Sequence, residues 1–169
     1  MEKAAQCLSN RLIELAEIRT GQRILDIATG IGEPALTAAR IVDSNGHVLA
    51  IDISTEMMAI AKQRSIYYGR QDTIQYKETS MQDLMLPGLS FNSVPCRWGL
   101  MFLPNLHSTL VAIHSALLLG GKLVAAVWVD AREVSVIRLA MQIITESARG
   151  VSENFSSLPN PYSYLVKID

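Results

Sequence analysis

Arg23-Ile24-Leu25-Asp26-Ile27-Ala28-Thr29-Gly30-Ile31-Gly32-Glu33-Pro34-Ala35 carries the decision about the fold. A short apolar run ends in a carboxylate and a loop of small residues, and a helical apolar pattern takes over across Glu33–Val42. This is a strand, expected over Arg23–Ala28, that must turn sharply into a helix. Gly30 and Gly32 let backbone approach a ligand closely, and Pro34 suits a first helical turn. In open α/β sheets ligands sit outside the carboxyl ends of the strands, where this loop would stand.

Outward from the loop, strand-like runs alternate with helical ones. Strands are expected over His47–Ile53, Thr73–Lys77, Ser90–Arg97 and Lys122–Val129. Helices are expected over Thr55–Tyr68, Asn105–Leu119 and Glu133–Ala148. Upstream, Leu8, Leu12, Ile13, Leu15, Ala16 and Ile18 recur at helical spacing until Thr20-Gly21 stops them. The alternation predicts an α/β fold with five parallel strands flanked by helices. Gly120-Gly121 is expected to supply the turn into the fifth strand.

The chain has 169 residues, 49% of them hydrophobic and 18% charged, enough for one packed domain and too few for two ordinary ones. A domain over residues 1–149, whose first 19 form the N-terminal helix, and a tail or unfinished element over 150–169 are expected. A formal charge of −1 provides no basic field for nucleic acid. The longest apolar stretch, Leu117–Val129, holds Gly120, Gly121 and Lys122 and falls short of the ~20 residues a membrane span needs. Cys7 and Cys96 have no paired spacing and no secretory leader is visible, which points to a reducing, cytoplasmic setting. His47, His107 and His114 do not cluster with cysteines or carboxylates, so no metal is expected.

The loop has two ligand readings. Gly30-x-Gly32-x-x-Ala35 fits a dinucleotide fingerprint, and Asp52 lies where an acid would hold the ribose of NAD(P) in an oxidoreductase. Asp26 separates them. A pyrophosphate beside that carboxylate would meet a repulsion of about 4 kcal/mol at ~4 Å and an effective dielectric of 20. S-adenosylmethionine brings an ammonium and a sulfonium instead, so the acid attracts. The plainer alternative makes Asp26 a turn cap and Asp52 the cap of the helix starting near Ser54.

Across roughly Arg19–Val129 these residues resemble the class I S-adenosylmethionine-dependent methyltransferases, a three-layer Rossmann-like fold, especially the ubiquinone/menaquinone biosynthesis (type 11) group. Asp26, Gly30 and Gly32 match the family's acidic-x-Gly-x-Gly-x-Gly motif, with Ala28 in place of its first glycine. The resemblance implies that Asp26, Ala28, Thr29, Gly30 and Gly32 line the methionine end of the cofactor. Asp52-Ile53-Ser54-x-x-Met57 is similar to the second signature, in which the acid binds ribose while Ile53 and Met57 pack on adenine. Met57 and Met58 read equally as helix core. Ser80-Met81 stands where the family places an aspartate before a small residue to hold the adenine amino group.

Phe91-Asn92-Ser93-Val94-Pro95-Cys96-Arg97-Trp98-Gly99 resembles the fourth strand. Asn92 replaces the usual aspartate there. Pro95 cannot donate a ladder bond, so either the strand bulges there or this chain has lost some of the family's constraint. Arg97 and Trp98 would face the cofactor, although Trp98 could be core. Leu118-Leu119-Gly120-Gly121-Lys122 is similar to the family's leucine-x-glycine-glycine turn.

What the resemblance implies is methyl transfer from S-adenosylmethionine to a small-molecule acceptor, leaving S-adenosylhomocysteine. No residue announces itself as a catalytic base, and His107 and His114 read as surface or packing residues. The resemblance implies two further C-terminal strands, of which no convincing version is read before Asp169, so a fragment, a truncated protein, or a sheet completed by a second copy or another chain is expected. A truncated or non-catalytic cofactor-binding module is the alternative.

Overall fold

The computed structural model describes residues 2–127. Its elements run α1 (Glu2–Leu15), β1 (Arg23–Ile27), α2 (Ala35–Val42), β2 (His47–Asp52), α3 (Thr55–Tyr67), β3 (Ile74–Glu78) and β4 (Phe91–Arg97). A single 3-10 turn (Leu100–Phe102), α4 (Leu106–Ala116) and β5 (Leu117–Ala126) follow. The five strands are parallel, in the order β3-β2-β1-β4-β5. This matches the expected α/β fold. Successive strands build outward from β1 in one direction through β2 and β3, then restart on its other side at β4. The reversal opens a crevice at the carboxyl ends of β1 and β4.

The core follows from residue size. Ala35, Ala38 and Ala39 are fully buried on α2, letting that helix lie close against Ile24, Val48 and Ala50 of the sheet. Ile13 of α1, with Ala16 and Ile18 just beyond it, closes the same cluster. Two helices start on side-chain caps: Ser54 Oγ accepts the Met57 N–H at 3.2 Å, and Asn105 Oδ1 accepts the Ser108 N–H at 3.0 Å.

The fourth helix and the fifth strand differ from expectation. The helix ends at Ala116 rather than Leu119, and β5 begins at once. Phe91 pairs with Leu117 but Ser93 pairs with Lys122, so residues 118–121 loop out of the ladder as a wide bulge. Gly120, at φ +77°, turns within that bulge instead of joining helix to strand. Pro95 produces no bulge. Registers run unshifted from Ser93 to Arg97 against β5, and Ile24↔Ser93 and Ile27↔Cys96 keep equal spacing against β1. The β1–β4 ladder is simply open across Val94 and Pro95, and the Asn92 side chain closes its start by accepting the Arg23 N–H at 2.8 Å.

The compact unit ends at Ala126. The helix expected over 133–148, the domain end at 149 and the tail over 150–169 lie outside the described residues. No described helix is long and apolar enough to cross a membrane.

Candidate functional site

The loop after β1 is wound by its own backbone. Thr29 O accepts the N–H groups of both Gly32 (2.9 Å) and Glu33 (3.1 Å), and Gly32 O accepts that of Leu36 at 2.9 Å. Ala28, Gly30 and Gly32 all take positive φ, at +57°, +56° and +100°. At Ala28 this conformation costs about 1–2 kcal/mol for a residue with a Cβ. Its methyl lies over Gly99, where an added Cβ would meet Ala28 Cβ at 2.5 Å and Cys96 Sγ at 2.8 Å. Gly99 is therefore the residue that lets the β4 end come up against the loop.

Asp52, at the end of β2, joins the loop to the start of α3. Its Oδ2 accepts the Gly30 N–H at 2.7 Å and its Oδ1 the Ser54 N–H at 3.0 Å. Each oxygen keeps a free lone pair. Ser54 rather than Asp52 supplies the helix cap, which leaves the remaining acceptor capacity of Asp52 unspent on capping.

Asp26 lies beneath the loop, fully buried, with Oδ2 accepting the Ala35 N–H at 2.9 Å. Oδ1 and the buried Thr29 hydroxyl make no hydrogen bond. Burial pushes the Asp26 carboxyl up to about 7; the nearby Thr29 hydroxyl favours the charged form without reaching bonding geometry, and the Ala35 N–H also pulls it down. Glu33 adds to the rise and Arg97 opposes it. Charge repulsion alone thus argues less strongly against a pyrophosphate than the sequence suggests. Geometry supplies a firmer reason. The N–H groups of Gly32, Glu33, Ala35 and Leu36 are all spent inside the protein, and Pro34 has none, so the start of α2 lacks the donors a pyrophosphate needs.

The two methionines divide the roles left open between them. Met58 is core at 2% exposure, whereas Met57 is 47% exposed and its Sδ faces Gly30. Ile53, 75% exposed, stands on the same rim. Past β3, Ser80 Oγ accepts the Gln82 N–H at 3.2 Å and Met81 is buried beside it. Trp98, at φ +61°, donates its N–H to Ala126 O at 2.8 Å. Arg97 is committed to α1: Nη1 donates to Ala5 O at 3.0 Å and Ser9 Oγ at 2.8 Å, and its guanidinium lies 5.1 Å from the Trp98 ring. Asn92 is at the opposite end of β4, away from this crevice. Cys96 is buried with its thiol pushed up to about 12 by burial, which makes it packing rather than a nucleophile.

Sequence reasoning missed the polar chain that fastens the loop from outside. Gln6 Nε2 donates to Thr37 Oγ1 (2.9 Å), which donates to Glu33 Oε2 (2.7 Å). Glu33 also faces Arg64 Nη2 at 3.9 Å, and Arg64 Nη1 donates to Ile31 O at 2.7 Å. Apart from Glu33 and Thr37, which stand four residues apart, none of these pairs has a sequence spacing that reveals it. Gly99 could have been found, as a glycine two residues past the end of the strand at the switch point.

With this geometry in view, the comparison with known proteins is decisive. The model of the ubiE/COQ5 methyltransferase family matches residues 6–167. The chain belongs to that family. A ubiquinone/menaquinone biosynthesis C-methyltransferase UbiE from Teredinibacter turnerae is 32% identical over 111 residues, covering 66% of this chain and 45% of that protein. The UbiE of Pseudomonas putida is 27% identical over 162 residues, covering 88% of this chain and 63% of its own length. This member thus spans about half to two thirds of the length of such relatives. Among solved structures, an S-adenosylmethionine-dependent methyltransferase from Aquifex aeolicus superposes with a TM-score of 0.65 at 17% identity, over 78% of this chain and 77% of that one. One from Mesorhizobium loti superposes with a TM-score of 0.61 at 25% identity, over 73% and 56%.

Proposed function

We propose that this family member binds S-adenosylmethionine across the loop after β1 and the end of β2, and passes its methyl group to a small-molecule acceptor. The observation that carries the reading is Asp52, a carboxylate held by Gly30 and Ser54 with acceptor capacity left on both oxygens for a ribose diol. Other residues around the loop support the reading. Met57 and Ile53 present apolar surface beside Asp52 for adenine, and the Met81 N–H with Ser80 would meet the ring edge. Asp26 Oδ1 and Thr29 Oγ1, buried without hydrogen bonds, place unspent polarity under the methionine end. A cofactor ammonium above the loop would favour the charged form of Asp26 below it.

When bound, the cofactor supplies an electrophilic methyl on a sulfonium, which a nucleophilic acceptor attacks in line. The protein's share is to position the two and exclude water. The crevice between the β1 and β4 ends, bordered by Trp98 and Gly99, is where the acceptor would meet it. We place the domain over residues 1–149, with acceptor selectivity dependent on parts that its longer relatives carry.

Calorimetric titration with S-adenosylhomocysteine tests the reading. Saturable heat is expected. No heat and no thermal shift up to millimolar ligand would overturn it, and binding of a nicotinamide dinucleotide instead would return the loop to its other reading.

A further inference from the structure

α1 is held in two different ways along its length. Its second half is seated by apolar packing, with Leu12 and Ile13 each at 3% exposure. Its first half is fastened by polar side chains that also reach the functional site. Arg97 Nη1 donates to both Ala5 O and Ser9 Oγ, and Ser9, fully buried, donates back to Ala5 O at 3.3 Å. One residue along from Ala5, Gln6 starts the chain through Thr37, Glu33 and Arg64 to Ile31 O in the glycine loop. One helical turn therefore holds both flanks of the crevice.

Arg97 also borders the least relaxed backbone at the site. Trp98 takes φ +61°, which a bulky side chain adopts only where its surroundings compel it. The Arg97 guanidinium covers the Trp98 ring from one side. Through-space attraction links Arg97 to Asp26 and Glu33 as well, so it faces α1, the ring and the acids under the loop together.

We propose that Arg97 is a positioning residue: by clamping the first half of α1 to the end of β4, it makes the seating of that helix and the ligand-ready shape of the loop and of Trp98 a single event. A ligand that needs that shape then seats α1, and seating α1 favours the ligand by the same factor, because coupling between sites is reciprocal. The inference rests on the cofactor reading above and concerns this chain's own side chains.

Hydrogen exchange of the 169-residue chain, with and without saturating S-adenosylhomocysteine, tests it beside calorimetry on the same samples. In the parent protein the ligand is expected to slow exchange at α1 amides 6–12 by about tenfold. Arg97→Met should lose that ligand-dependent protection and bind S-adenosylhomocysteine about tenfold more weakly, while Arg97→Lys, which keeps one donor group, recovers part of both. Ser9→Ala, a smaller change, should show the same trend should Arg97→Met fold poorly. Asn92→Ala, a structural tie at the far end of β4, should leave the ligand-dependent protection intact. Binding without any change at α1, or full protection retained in both Arg97→Met and Ser9→Ala, would overturn the coupling while leaving the cofactor reading standing. Absence of binding in the parent would overturn both.

Discussion

The Ala35 N–H donates to Asp26 Oδ2 across 2.9 Å, tying the first residue of α2 to a buried carboxylate on the central strand. This bond takes the helix-start donor that would otherwise face the crevice. It also sets how the fold responds to pH. The Asp26 carboxyl, near 3.8 when unfolded, rises to about 7 in the folded chain through burial. Between those values the native state holds a proton that the unfolded state has released. Stability therefore falls as pH rises through this window and levels off above about 7, with a slope for one group of at most about 1.4 kcal/mol per pH unit. Asp26→Asn keeps an acceptor for Ala35 and cannot titrate. Its urea-unfolding free energy relative to the parent should climb from about pH 4 to about pH 7 and then level off. A difference that stays constant with pH would remove Asp26 as the titrating group.

Asp52→Ala is expected to lose about 1.5–3 kcal/mol of S-adenosylhomocysteine affinity, the worth of hydrogen bonds to a charged acceptor. The Gly30 N–H loses its partner in the same change, so loop amides should exchange faster. Calorimetry at two temperatures measures the first effect. Undiminished affinity would leave Asp52 as a turn cap alone.

Gly99→Ala brings a methyl to 2.5 Å from Ala28 Cβ and 2.8 Å from Cys96 Sγ, at a φ of −100° that any residue adopts. The expected cost is steric overpacking of about 1–3 kcal/mol. Ala28→Gly removes one of the two clashes and the strain at φ +57°, so the double variant should be more stable than the sum of the single changes by at least ~0.5 kcal/mol. Strict additivity in thermal unfolding would show that the loop and the β4 end do not meet as described.

Asn92→Ala should cost about 1 kcal/mol, because Arg23 N–H loses the acceptor that starts β1. Cofactor affinity should not change, since this contact is at the amino end of the strands. A weakened affinity in titration would place Asn92 in the site after all.

Local patterning made the sheet readable. Apolar runs broken by a carboxylate and small residues announce strands that end in ligand loops, and Ser54 and Asn105 mark helix starts through chemistry contained within one turn. The departures lie where two distant segments meet. Pro95 alone leaves a bulge as one of two outcomes; the neighbouring registers run on without one, and the irregularity falls at residues 118–121 instead. Ile53 and Met57 are exposed at the start of α3, whereas Arg97 is committed to α1.

By itself, the sequence determined the order of elements, the parallel sheet and the two acids flanking a glycine loop, because spacing along the chain encodes periodicity, turns and strand ends. Only the tertiary structure decided what those acids do. Whether Asp26 is charged depends on burial by α2 and the loop, whether the helix start can hold phosphate depends on where its N–H groups are spent, and whether Arg97 faces a ligand or a helix depends on α1 arriving from more than eighty residues away. Desolvation and hydrogen-bond partnership arise from contacts in space, and no local pattern records them.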